Sequence, residues 1–374
     1  MRRALVFGTV AALVWACGPG EETPPPKPPP PPPAETAPPP PPPVDTTPPP
    51  PPPPAKPPMI EMQKAAMETA QKALNAHDAK GFASVYAEGA TVAVAGLNEL
   101  SGRDAVEGNM KEWFETFKNI KLGFRRVWMK GDVVVLEWVI NGTHSGELFG
   151  VKGKENPIGH YGLSIVWFDA DGKVKRENRY GELGAVLTQS GATKGKAKEI
   201  PTIPATAEII LGKGAPEEDK NVEVAKGVQA TLSKKSEADF LAGVTDDVQY
   251  EVVLFLDSVK GKDDAKKLFG GLTKAFPDMQ FAPTLAMGAG DYAIVEYTMS
   301  GTHKGPLGAL AASKKPVTVH LVDIYQVANG KIAKAWTYQN SVELMSQVGA
   351  INVGTVTPPA APAAPAAPKT APKK

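Results

Sequence analysis

The sequence predicts an α+β fold: two tandem cone-shaped domains, each with helices packed on a strongly curved, mostly antiparallel sheet. Three observations carry that reading. Residues 102–165 lie over 261–324 without a gap and with 13 identities in 64 positions. Each copy opens with helical periodicity and continues in two-residue alternation, the order that places helices on one face of an antiparallel sheet. Of the 39 prolines in 374 residues, 25 fall within 18–58 and six within 358–374, which leaves eight for the middle. That middle is long enough for two domains with a core each.

Met62, Ala66, Ala70 and Ala73 recur at helical spacing in the first copy, as do Val224, Val228 and Leu232 in the second, so a helix opens each domain. A short helix is expected around Phe82 to Tyr86, followed by a first strand. A third helix carries Val106, Met110, Trp113 and Phe117 on one stripe, echoed by Ala265, Leu268, Leu272 and Phe276. Alternation then predicts strands at 121–129, 132–144, 158–168 and 173–182. Lys130-Gly131-Asp132 and Asp171-Gly172 divide them, with Asn329-Gly330 as a turn of the second copy. Copies of about 130 residues exceed the roughly 20–50 of a solenoid unit, so they are domains. Their expected bounds are 59–192 and 221–356, joined by a linker at 193–220 in which Ile209-Ile210-Leu211 suits a short strand.

Arg2 and Arg3 precede an apolar run of 13 residues, Ala4 to Ala16. As a helix the run rises about 20 Å, short of a hydrocarbon core of about 30 Å, so 1–16 reads as a signal peptide rather than a span. The run ends in Val14-Trp15-Ala16-Cys17. This is similar to the lipobox of bacterial lipoproteins, apart from the bulky Trp15. The resemblance implies a lipidated Cys17 that ties the chain to the membrane. Gly18 in place of an aspartate implies the outer membrane of the cell envelope, with the domains in the periplasm or at the surface. Residues 17–58 form a disordered proline-rich tether that reaches roughly 130 Å at about 3.1 Å per residue. Residues 357–374 form a disordered Ala/Pro/Lys tail.

Lysine plus arginine (41) nearly balances aspartate plus glutamate (40), so no basic field gathers nucleic acid. One cysteine excludes a disulfide framework and a thiolate zinc site, and five histidines leave little for another metal. With no glycine-rich phosphate loop and no serine-nucleophile motif, no cofactor is expected.

Gly142-Thr143-His144-x-Gly146-x-Leu148 recurs as Gly301-Thr302-His303-x-Gly305-x-Leu307. Glu137 pairs with Glu296, and after a one-residue shift Tyr180 pairs with Tyr338 and Gln189 with Gln347. Together with Trp336-x-Tyr338 and Leu344-x-x-Gln347-Val348-Gly349, these residues resemble the signature of SnoaL-like polyketide cyclases in the nuclear-transport-factor-2-like superfamily. The resemblance implies that fold in both copies. It leaves activity open, because the scaffold hosts enzymes, ligand binders and interaction domains. It also implies that the two domains pair through their sheets as an intramolecular pseudo-dimer.

Strand parity supplies candidate site residues. Val134, Leu136, Trp138, Ile140, Gly142 and His144 share one face, matched by Ala293, Val295, Tyr297, Met299, Gly301 and His303. Glu137 and Glu296 lie opposite, as surface or domain-contact residues. Val174, Asn178, Tyr180 and Glu182 form a row in the last strand, as do Ile332, Trp336, Tyr338 and Asn340. These rows are expected to line the cones, with Trp138, Tyr180, Tyr297, His303, Trp336, Tyr338 and Asn340 as ligand contacts.

The resemblance implies an acid/base aspartate at the position held here by Glu182 in the first copy and Asn340 in the second. Asn340 exchanges no proton, and Glu182 reaches one methylene too far. Both also suit helix caps. The favoured expectation is therefore a lipoprotein displaying two non-catalytic domains that bind a small apolar ligand or an envelope protein. The enzymatic alternative is a cyclase, isomerase or hydrolase with Glu182 as acid/base and His144 as orienter, in a pocket of about 300 Å³ or more. A structural envelope protein with filled cones is the third.

Overall fold

The computed structural model describes residues 27–28, 56–193, 197–252, 258–308 and 310–352. The signal peptide at 1–16, Cys17 with its lipid, nearly all of the tether and the tail at 357–374 lie outside the described residues.

The first domain runs α1 (Met59–Asn75), α2 (Ala79–Ala83), β1 (Tyr86–Val94), β2 (Leu100–Ser101), α3 (Arg103–Thr116), β3 (Phe117–Lys130), β4 (Val133–His144), β5 (Glu147–Leu148), β6 (Val151–Lys152), β7 (Asn156–Phe168), β8 (Val174–Gly181) and α4 (Leu183–Gln189). A connecting strand β9 (Glu208–Leu211) follows. The second domain then repeats the order as α5 (Pro216–Lys234), α6 (Glu237–Ala242), β10 (Val244–Val252), β11 (Val259–Lys260), α7 (Gly261–Ala275), β12 (Gln280–Ala289), β13 (Tyr292–Thr302), β14 (Pro316–Ala328), β15 (Lys331–Tyr338) and α8 (Ser341–Val348).

Two element ends differ from the periodicity reading, each for a local reason. The second helix starts at Ala79 rather than near Phe82, because the Asp78 carboxylate accepts from Gly81 N at 2.8 Å and caps it early. Tyr86 consequently opens β1. Phe117, expected on the stripe of α3, is the first residue of β3 and still buried.

The described strands form sheets in the orders β2-β1-β8-β7-β4-β3-β9 and β11-β10-β15-β14-β13-β12, with β5-β6 as a separate pair. Pairing is antiparallel except for β1 with β8, β10 with β15 and β3 with β9. Strand β9 is the Ile209-Ile210-Leu211 segment, laid along residues 126–129 of β3. Helices cover one concave face of each sheet. Met67, Leu74, Phe82, Val106 and Met110 meet Leu136, Ile140 and Val166 in the first domain, and Val228, Phe240 and Phe269 meet Val295, Val319 and Tyr325 in the second.

The repeated glutamines explain themselves here. Gln189 Oε1 accepts from Gly159 N at 3.0 Å while its Nε2 donates to Gly159 O at 2.8 Å. Gln347 does the same to Thr318, at 2.8 and 2.7 Å. Each clamps the last helix of its domain to the long strand β7 or β14, satisfying strand-edge backbone groups that water would otherwise have to solvate.

The described residues from 56 to 352 form one compact unit, in which the other faces of the two sheets meet. Trp128, Val135, Leu163, Ile165 and Tyr180 pack with Met287, Ile294, Val322, Ile324, Trp336 and Tyr338. The polar contacts are reciprocal. Tyr338 Oη donates to Glu137 of the first domain, and Tyr180 Oη donates to Glu296 of the second at 2.8 Å. Residue i of one copy meeting j of the other, and j meeting i, is the pattern of a two-fold contact. Glu137 also takes Arg126 as an ion pair and Arg125 at 3.1 Å, whereas Glu296 takes Asn178 at 2.6 Å and Thr284 at 2.7 Å. Arg126 lies 3.8 Å over the Trp336 ring. Neither glutamate is at the surface, the first of the two places expected for them; both are buried between the domains.

Candidate functional site

Each domain encloses an apolar cavity between its helices and the concave face of its sheet, and each has a buried carboxylate in the wall. The first measures about 110 Å³ and is lined by Met67, Leu74, Phe82, Met110, Trp113 and Trp138 among others. Trp138 reaches it by lying across the neighbouring strand. Gly162 faces Trp138 in register, and a Cβ there would sit 2.2 Å from the indole, so only glycine admits the ring. Trp138 Nε1 then donates to Ser164 Oγ at 3.1 Å.

Glu177 in this wall is fully bonded. Arg179 donates to both its oxygens, at 2.8 and 2.9 Å, with Ser164 Oγ at 2.7 Å and Tyr86 Oη at 2.5 Å. Burial alone would raise its pKa, but the Arg179 charge and these donors hold it below the usual carboxylate range. The first cavity therefore carries its own internal ion pair.

The second cavity measures about 130 Å³ and is lined by Phe240, Tyr250, Phe276, Phe281, Tyr297 and Tyr325 among others. Its carboxylate is Asp323, which aligns with Ser164 at the repeat offset. Tyr297 Oη at 2.9 Å and Tyr325 Oη at 2.7 Å donate to Oδ2, and Thr337 Oγ1 donates to Oδ1 at 2.7 Å. No cation pairs with Asp323 among the described residues. Burial raises its pKa from the ordinary aspartate value, against the pull of the hydroxyls.

The structure divides the expected site residues. Trp138 and Tyr297 line the cavities as parity predicts. Tyr180, Trp336, Tyr338 and Asn340 do not: the first three pack between the domains, and Asn340 caps α8. A β-bulge in each last strand is the reason. Phe168 pairs with Val174 but Trp167 with Arg176, so Lys175 is an extra residue. Val327 pairs with Ile332 but Gln326 with Lys334, so Ala333 is its equivalent. One extra residue flips every later side chain to the other face. Glu177 and Arg179 thereby enter the first cavity, and Thr337 the second. Sequence reasoning missed Asp323 as well, although Val319, Leu321, Asp323, Tyr325 and Val327 form one row in which a lone acid interrupts apolar residues.

Glu182 and Asn340 are caps. Glu182 Oε1 accepts from Ala185 N at 3.3 Å, and the carboxyl crosses to the other domain to bond Ser341 Oγ and Ser341 N. Asn340 Oδ1 accepts from Val342 N at 3.2 Å, and its Nδ2 donates across to Ala95 O at 2.9 Å. Burial pushes the Glu182 carboxyl up to about 7, opposed by the Ser341 bonds. Neither residue lines either cavity.

His144 ends β4 and His303 follows the last residue of β13; both are fully buried, packed on Phe117 and Phe276, and also lie outside both cavities. His144 Nδ1 sits 2.7 Å from Ser190 Oγ, and His303 Nδ1 lies 3.2 Å from Ser313 Oγ. Burial lowers the pKa of both. Among the described residues no three His, Cys, Asp or Glu side chains are placed to hold a metal ion.

A family model described as SnoaL-like polyketide cyclase matches residues 64–190 and 222–348, together more than half of the chain. No curated protein matches the sequence. Solved structures similar to it include AclR from Streptomyces galilaeus, with 22% identity and a TM-score of 0.32 over 36% of this chain and 98% of that one. A SnoaL-like protein from a Jannaschia species has 18% identity and a TM-score of 0.34 over 37% and 96% of the two chains. TsrD from Streptomyces laurentii has 19% identity and a TM-score of 0.33 over 36% and 97%.

Proposed function

This chain belongs to the SnoaL-like polyketide cyclase family, and from that premise we propose that it is a membrane-anchored bacterial lipoprotein whose two domains bind small, largely apolar ligands without cyclase chemistry. One observation carries the reading. In both copies the residue at the expected acid/base position caps a helix and bonds to the other domain, while the cone itself keeps an apolar cavity with a separate polar wall. Burial raises the Glu182 carboxyl to about 7, but among the described residues neither cone cavity includes it. The cavities of about 110 and 130 Å³ are also well below the roughly 300 Å³ of a typical drug-sized pocket. They approach the ~150 Å³ that admits a benzene-sized molecule.

The anchor part rests on the basic, apolar and cysteine-terminated order of the first seventeen residues. Because one acyl chain binds a membrane only marginally, a lipidated Cys17 bearing several would be needed to hold the domains in place.

Native mass spectrometry of protein taken from its own cell envelope tests the binding reading. The expected spectrum shows retained small molecules, released on unfolding. No retained mass, together with no change in thermal stability on adding benzene-sized probes, would refute it. Radiolabelled fatty acid should enter the wild-type chain and be absent from Cys17→Ala; label in both, or in neither, defeats the anchor.

A further inference from the structure

We propose that the second cone is a binding site for a small protonated amine, with the ammonium group seated on Asp323. This rests on the ligand-binding reading and names the ligand class for one of the two cavities.

The two copies supply the comparison. The wall carboxylate of the first cavity has a cation built into the chain, because Arg179 grips both oxygens of Glu177. At the position equivalent to Arg179 the second copy has Thr337, which bonds Asp323 but brings no charge. Asp323 is 6% exposed and receives three hydroxyl hydrogen bonds, which favour its ionised form without neutralising it. A carboxylate buried this deeply either holds a proton or takes a positive partner, and an ammonium ion would keep it ionised. Among the described residues of this cavity, Tyr250, Tyr297 and Tyr325 are the other titratable groups, from β10, β13 and β14, while Thr337 of β15 and Gln229 of α5 contribute neutral polar groups.

One further atom on the same wall lacks a protein partner among the described residues. Tyr250 Oη is buried with no hydrogen bond among the described residues, and its oxygen suits an ammonium donor. Around these groups the wall is aromatic, with Phe240, Phe276 and Phe281 beside the tyrosines. Ring faces attract a cation, an attraction that grows when the cation is desolvated. Since about 150 Å³ holds a benzene-sized molecule, 130 Å³ suits an amine of five or six heavy atoms.

The test titrates the full mature chain in detergent with three probes of one shape: piperidine, tetrahydropyran and cyclohexane. Calorimetry should give piperidine at least tenfold tighter binding than tetrahydropyran. Asp323→Asn should abolish that preference while leaving tetrahydropyran binding in place. As a measurement independent of any variant, piperidine should shift the ring resonances of Tyr250, Tyr297 and Tyr325 in the wild-type chain. If tetrahydropyran or cyclohexane binds as tightly as piperidine, the amine site is refuted and the binding reading stands. Resonance shifts confined to other tyrosines also overturn it. If none of the probes binds, both fail.

Discussion

Replacing Glu182 with glutamine should stabilise the protein above neutral pH and leave it unchanged in acid. The carboxyl is 3% exposed between the first turns of α4 and α8, where Ala185 N, Ser341 N and Ser341 Oγ meet it, and the Lys198 charge only partly offsets its burial. Burial raises its pKa from 4.5 to about 7 in the folded chain. The folded state therefore holds a proton that the unfolded state releases between about pH 4.5 and 7. The stabilisation from that proton is fully present below 4.5, falls as pH rises, and is lost above about 7. A difference of about 2.5 units at 1.36 kcal/mol each makes the loss about 3 kcal/mol.

Glutamine keeps the shape and an acceptor for the α4 amide but has no proton to lose. In urea unfolding, Glu182→Gln and wild type should coincide near pH 4.5. They should diverge through pH 6, and at pH 8 the variant should be more stable by about 3 kcal/mol. A difference independent of pH, or a variant less stable than wild type at pH 8, would refute the placement of a neutral carboxyl in the domain contact.

Three other outcomes follow from the same geometry. Arg179→Met strands the Glu177 charge and should cost about 3–5 kcal/mol in urea unfolding, with Glu177→Gln in the same chain recovering much of it. Gly162→Ala drives a methyl into Trp138, so it should cost about 1–3 kcal/mol and alter the near-ultraviolet circular dichroism of the tryptophan. Gln347→Ala releases both backbone groups of Thr318 and should cost about 1 kcal/mol or more, read as faster amide hydrogen exchange at the start of β14.

Much of the architecture was legible because duplication and periodicity are properties of the chain itself. The offset that aligns Gly142 with Gly301 also aligns Gly159 with Thr318, the two backbone sites clamped by Gln189 and Gln347. Alternation along β4 placed Trp138 in the first cavity because the β4–β7 ladder runs without interruption. The same rule failed in β8 and β15, where Lys175 and Ala333 break it. Neither residue is a glycine, so nothing in its type announces a bulge. The rows named from Tyr180 and Tyr338 consequently faced the other domain, and Glu177 and Arg179 went unnoticed.

By itself the sequence determined that there are two copies, that helices precede strands in each, and that Glu182 and Asn340 occupy helix-capping positions. Those features depend on neighbours within a few residues, or on a repeat read along the chain. Only the tertiary structure decided which face of each last strand lines a cavity and which buried carboxylate received a cation. Hydrogen-bond register between strands sets the face, and the face decides which charges share a cavity wall. The bulge turns Glu177 and Arg179, two residues apart on β8, into one cone as a bonded pair, whereas the hydrogen bonds onto Asp323 come from the hydroxyls of Tyr297, Tyr325 and Thr337, a contrast that exists only once the strands have paired.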